Sequence, residues 1–88
     1  AEKMGMIYKV CADESLMEET LKVAKKLAAL PTIGLGLTKR ALNKSITNDL
    51  TAQLALEDEL QTAAGKTYDY NEGVAAFLEK RKPKFKGE

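Results

Sequence analysis

The sequence predicts an all-α domain of four helices, and three observations carry that expectation. Apolar residues recur at spacings of three and four in successive stretches, the period of a half-buried helix. Residues that start or stop helices stand between the stretches: Ser15, Pro31, Gly65, Asp69 and Pro83. The one β-prone run, Met6-Ile7-Tyr8-Lys9-Val10, has no second run in the chain to pair with.

Residues 1–4 read as the end of a helix, with Gly5 as its left-handed stop. If residues 6–10 form a short strand, its partner lies outside this chain. Ser15 and Glu18 fit a capping box, which opens a helix expected to run to about Leu30. Leu16, Thr20, Val23, Leu27 and Leu30 give it a wide apolar stripe, and Glu18 can pair with Lys22 on the wet face.

Pro31 suits the first position of a second helix, expected over 32–45 with Ile33, Leu37, Ala41 and Leu42 turned inward. Gly34, Thr38, Ala41 and Ser45 make a small-residue face that lets another helix approach. A third helix is expected over 49–64, capped by Thr47 or Asn48 and stopped by Gly65. Its apolar arc holds Leu50, Leu54, Leu56 and Leu60, with Gln53, Glu57 and Gln61 set inside it. Polar groups there need partners, since burial without hydrogen bonds is costly. A structural network, or a contact with another subunit, would supply them.

The last helix opens at Asp69 as N-cap, with Glu72 at the capping-box position, and Pro83 ends it. Val74, Phe77 and Leu78 share a face. Gly73 weakens the helix by roughly 1 kcal/mol relative to Ala, so a ligand or a neighbouring helix is expected against its backbone. Five cations follow, Lys80, Arg81, Lys82, Lys84 and Lys86.

Eighty-eight residues make one domain at most, and a 44% apolar fraction allows a small core. Fourteen cations against 13 anions leave a net charge of +1, which argues against a nucleic-acid binder. No apolar run approaches the 18 or so residues of a membrane span. With no His and a single cysteine, Cys11, neither an internal disulfide nor the common zinc clusters can form, and a reducing, cytoplasmic setting fits. No signal peptide is visible. A start at Ala1, in what reads as the last turn of a helix, is expected of a piece of a longer protein or of a processed one.

Several tempting arrangements fail on spacing. Gly34-Leu35-Gly36-Leu37-Thr38-Lys39 lacks the intervals of a phosphate loop. Glu57, Asp58 and Glu59 are helix neighbours at i+1 and i+2, which do not face one another. Ser15, Ser45 and Cys11 have no His to activate them. The remaining ligand candidates are Phe77 and Lys80, an aromatic and a cation at i,i+3. An aromatic ring can cover an adenine and an ammonium can meet a phosphate. The alternative is a core Phe beside a solvent Lys.

The stretch Asp69-x-x-Glu72-Gly73-x-x-Ala76-Phe77-Leu78-x-Lys80-Arg81-x-Pro83-x-Phe85 resembles the C-terminal signature of the crotonase superfamily, the acyl-CoA hydratases and isomerases. The resemblance extends along nearly the whole chain. It takes in residues 5–10, Leu27-Ala28-x-Leu30-Pro31, Thr38-Lys39 and Leu54-x-x-Glu57-x-x-x-Gln61. Residues 31–37 followed by Lys39 look most like the phenylacetate-pathway isomerases of that superfamily.

The resemblance implies the four-helix C-terminal part of a crotonase-like fold, without the N-terminal spiral domain. In family members that absent domain holds the oxyanion-hole amides and the acids that move protons. It therefore implies no catalytic residue and no metal here. A coenzyme A thioester is implied as substrate, with no group held covalently. Phe77 and Lys80 are implied to contact CoA bound by a neighbouring subunit. The implied partners are the chain's own N-terminal domain, neighbouring subunits in a trimer-based homo-oligomer and acyl-CoA, with neither nucleic acid nor membrane. The segment alone is expected to be inactive. Two other readings stay open: a free-standing helical module that self-associates, and a small acyl-CoA carrier.

Overall fold

The computed structural model describes residues 1–88. It contains four α-helices, α1 (Leu16–Ala28), α2 (Thr32–Ser45), α3 (Leu50–Gly65) and α4 (Tyr68–Leu78). A 3-10 turn at Asp13–Ser15 precedes the first, and there is no strand. Residues 6–10 take bends and irregular backbone instead, because nothing in the chain pairs with them. Ahead of them the Gly5 N–H donates to the Glu2 carbonyl and the Met6 N–H to that of Ala1, at 3.1 Å each. With Gly5 at φ 78°, this is the Schellman closure of a helix end expected from the sequence.

The helix starts differ from expectation, and at α2 Pro31 stands at the N-cap, one residue before the first helical position. Ser15 makes no cap. Its Oγ donates 3.1 Å back to the Ala12 carbonyl, closing the 3-10 turn rather than opening a capping box. Glu19, not Glu18, takes the Lys22 ammonium at 3.5 Å and that of Lys9 at 3.1 Å. These contacts raise the Lys9 pKa and lower that of Glu19, each chiefly through their mutual hydrogen bond. Asp49 caps α3, its carboxylate accepting the Ala52 N–H at 2.8 Å. Neither expected cap serves: the Asn48 amide donates to Gln53 Oε1 and the Thr47 hydroxyl to the Lys44 carbonyl.

The central unit is the antiparallel pair α2–α3. Gly34, Leu37 and Ala41 turn toward Leu56, Leu60 and Ala64, and of these only Leu60 is fully buried. Ile33 and Leu42 stay exposed, as do Leu50 and Leu54. Gln53 is satisfied as its place in the apolar arc required. It donates 3.1 Å to the Ala41 carbonyl and accepts 3.2 Å from Asn48 Nδ2. Gly65 is the last residue of α3 and has no positive φ, so it is not the left-handed stop. Thr67 ends that helix and begins the next. Its Oγ1 donates to Ala64 O at 2.7 Å and accepts the Tyr70 N–H at 3.1 Å.

Helix α1 packs little on the other helices; residues 8–11 lie along it, with Lys9 on Glu19, and Leu16, Met17, Leu21 and Leu27 are exposed. Three of 88 residues are buried, and the molecule is a slab of 43 × 39 × 19 Å. Its accessible surface is 7467 Å², whereas a compact chain of this mass exposes about 5,100 Å². Its radius of gyration, 16.4 Å, also exceeds the roughly 12 Å of a compact chain. No helix is long and apolar enough to cross a membrane.

Candidate functional site

The best-organised part of the molecule is the end of α4 and the tail that folds back along it. Asp69 is 2% exposed and does not cap the helix, because Thr67 does. Its two carboxylate oxygens accept the N–H groups of Lys86 and Gly87 at 2.7 and 2.8 Å, and its own N–H donates 3.0 Å to Glu88 O. Glu72 is not a capping-box partner either. Arg81 donates to both its oxygens, at 2.7 and 3.0 Å, and the Lys84 N–H adds a third bond of 2.7 Å. Bidentate charge-assisted contacts of this kind are short and geometrically specific. The Arg81 hydrogen bonds, then the Lys84 N–H, hold the Glu72 carboxyl at about 2, well below its ordinary 4.5. The same pairing pushes Arg81 upward.

The tail also lies over Gly73. A Cβ there would lie 3.6 Å from the Phe85 ring, so what approaches that backbone is the chain's own aromatic. At the far end Gly87 has φ 74°, and a Cβ would come within 2.8 Å of Thr32 Oγ1. The tail thus ties α4 to the start of α2.

Phe77 and Lys80 sit where the helix gives way to this tail. Phe77 is 83% exposed, which removes the reading of a core Phe within this chain. Helix α4 ends at Leu78, so Lys80 is not its i,i+3 neighbour on a continuous helical face. Lys80 instead occupies the left-handed position of a second Schellman closure, at φ 55°. Its N–H donates 3.3 Å to Phe77 O, and the Arg81 N–H donates 3.0 Å to Ala76 O. Among the tail cations, Arg81 is bound to Glu72, and Lys86 lies 4.6 Å over the Tyr68 ring. Lys80, Lys82 and Lys84 make no ion pair.

Beside them opens an apolar groove of about 440 Å³. Pro31 and Gly34 of α2, Tyr70, Val74, Phe77 and Leu78 of α4, and Phe85 of the tail form much of its wall. A Cβ on Gly34 would touch nothing within 4 Å, so at that end of the small-residue face α3 does not come into contact. Glu57 and Gln61 line a second groove between α2 and α3, and Gln53 between them serves the network already described. The site therefore offers an aromatic, free ammonium groups and an apolar trough, with the Asp69 carboxylate at its edge already taken by the Lys86 and Gly87 amides.

Sequence reasoning missed the clamp that holds the tail. Asp69 and Glu72 looked like capping residues because both motifs put acids near a helix start. The available signal was Arg81 followed by Pro83, an arginine and a chain reversal downstream of two acids.

Residues 1–88 match the enoyl-CoA hydratase/isomerase family along their whole length, and the chain belongs to that family. Its helices are those of the crotonase superfamily. The chain is 49% identical over 87 residues to the 1,2-epoxyphenylacetyl-CoA isomerase of Escherichia coli K12, an alignment covering 99% of this chain and 33% of that one. It is 40% identical over 87 residues to a probable enoyl-CoA hydratase of Rhodobacter capsulatus, covering 99% and 34%. An enoyl-CoA hydratase structure from Geobacillus kaustophilus superposes with a TM-score of 0.92 at 40% identity, over 100% of this chain and 34% of that one. The chain spans about a third of the length of the curated relatives it matches.

Proposed function

We propose that these residues are the C-terminal helical domain of an acyl-CoA isomerase that acts on ring-epoxidised phenylacetyl-CoA. In that reading the domain supplies subunit assembly and a cap over CoA, and the catalytic groups lie in an N-terminal domain outside this chain. The isomerase assignment is supported by 49% identity to the epoxyphenylacetyl-CoA isomerase against 40% to a probable hydratase. The observation that carries the capping role is Phe77, almost wholly exposed at a helix end beside a lysine without an acidic partner. A ring left in water is suited to stacking on an adenine, and free ammonium groups to its phosphates.

The test has two arms. The intact protein is assayed with ring-epoxidised phenylacetyl-CoA and with a 2-enoyl-CoA, and faster turnover of the first supports the isomerase. The 88-residue chain alone is expected to turn over neither, and to show no tight CoA binding by calorimetry. Tight binding by the isolated chain would instead mark it as a carrier.

A second reading is a helical module that associates with itself and has no enzymatic role. The uncovered apolar face of α1 favours it. Retention of oligomeric state without any CoA-dependent activity in the intact protein would select it.

A further inference from the structure

The Schellman closure after α4 contains an anomaly. Its left-handed position is the one that glycine fills most readily, because any Cβ is disfavoured there. Here it holds Lys80, at φ 55°. A side chain kept where its backbone is disfavoured points to a use for that side chain. What closes the turn around it is Glu72. That carboxylate takes the Arg81 guanidinium with both oxygens and the Lys84 N–H with one, so it grips the chain on both sides of Pro83. The Arg81 N–H is meanwhile held by Ala76 O. Residue 81, next to Lys80, is thus fixed through both its backbone and its side chain.

We propose that Glu72 is a positioning residue for the nucleotide end of CoA, fixing the turn that presents Lys80 beside Phe77. The inference rests on the capping role given above to Phe77 and Lys80. Glu72 touches no ligand itself. Together with Glu79, which accepts from Arg81 Nε at 3.3 Å, it also keeps that cation out of competition, leaving Lys80, Lys82 and Lys84 free for phosphate.

The test measures the affinity of the intact protein for CoA and for pantetheine, which has the thiol arm and no nucleotide. Phe77→Ala, Lys80→Ala and Glu72→Gln are each expected to weaken CoA about ten-fold and to leave pantetheine unchanged. In a Lys80→Ala background, Glu72→Gln is expected to add little, since it acts through the lysine. Hydrogen exchange at the Lys84 N–H should quicken in Glu72→Gln while the amides of α2 and α3 keep their protection. If that variant does not fold, Arg81→Lys loosens the same grip with the charge retained, and the same coupling to Lys80 is expected. Should Lys80→Ala weaken CoA while the Glu72 and Arg81 variants do not, or do so additively, the positioning role is overturned and the cap survives. Should neither Phe77→Ala nor Lys80→Ala affect CoA, the cap itself falls, and this inference with it.

Discussion

Glu72 shows how far one side chain can be drawn from its sequence-level role. Its pKa of about 2 sets the direction of a pH effect. A carboxyl lowered on folding stabilises the fold fully above its ordinary 4.5, and that contribution fades as pH falls toward 2. The Lys84 amide-proton resonance, hydrogen-bonded to Glu72, should therefore titrate with a midpoint near 2 and not near 4.5. Lys80 makes an opposite kind of prediction. Lys80→Gly relieves the left-handed backbone and should raise stability by about 1 kcal/mol in urea unfolding. In the proposed cap it should also weaken CoA binding. A gain in stability with unchanged binding would leave the lysine without a purpose in that position. Gly87 tolerates no such exchange. Gly87→Ala meets both a positive φ and Thr32 Oγ1, so the Lys86 and Gly87 amides should lose their exchange protection.

At the level of elements, legibility followed the source of each signal. All four helices were readable, because apolar period and punctuation are local properties. Their caps were readable only in part. Asp49 lies one or two residues from the caps first considered, and Ser15 spends its hydroxyl on a preceding carbonyl. The two should separate by experiment. Asp49→Ala should destabilise α3 by about 1 kcal/mol, read from exchange of the amides in its first turn, whereas Ser15→Ala removes no helix cap. The tail was not readable as structure. The side chains of Asp69 and Glu72 are joined to residues 9 to 18 positions away, and no helical or strand period encodes a contact of that range. Asp69, Glu72, Gly73, Arg81 and Phe85 of the family signature all belong to this clamp. As a pattern the signature was conspicuous. Its physical meaning required coordinates.

For the whole molecule, the apolar stripes read from α1 and α4 are real, but the chain leaves them largely uncovered. Leu16, Met17 and Leu21 on α1, and Tyr70, Val74, Phe77 and Leu78 on α4, are all exposed. An excess of roughly 2,400 Å² over the surface of a compact chain is more than a standard interface buries. The isolated chain should therefore self-associate or bind a hydrophobic dye, measured by light scattering and dye fluorescence. A compact monomer with no dye binding would show that the helices rearrange to cover themselves.

The slab is 19 Å thick, or about two helix diameters. A tile of that depth has two faces and scarcely any middle. In the proposed assembly, tolerance to substitution across it should then trace the outline of what it is mortared against, so that a saturation map made in the intact protein tests that assembly: uniform tolerance over both faces would count against any neighbour.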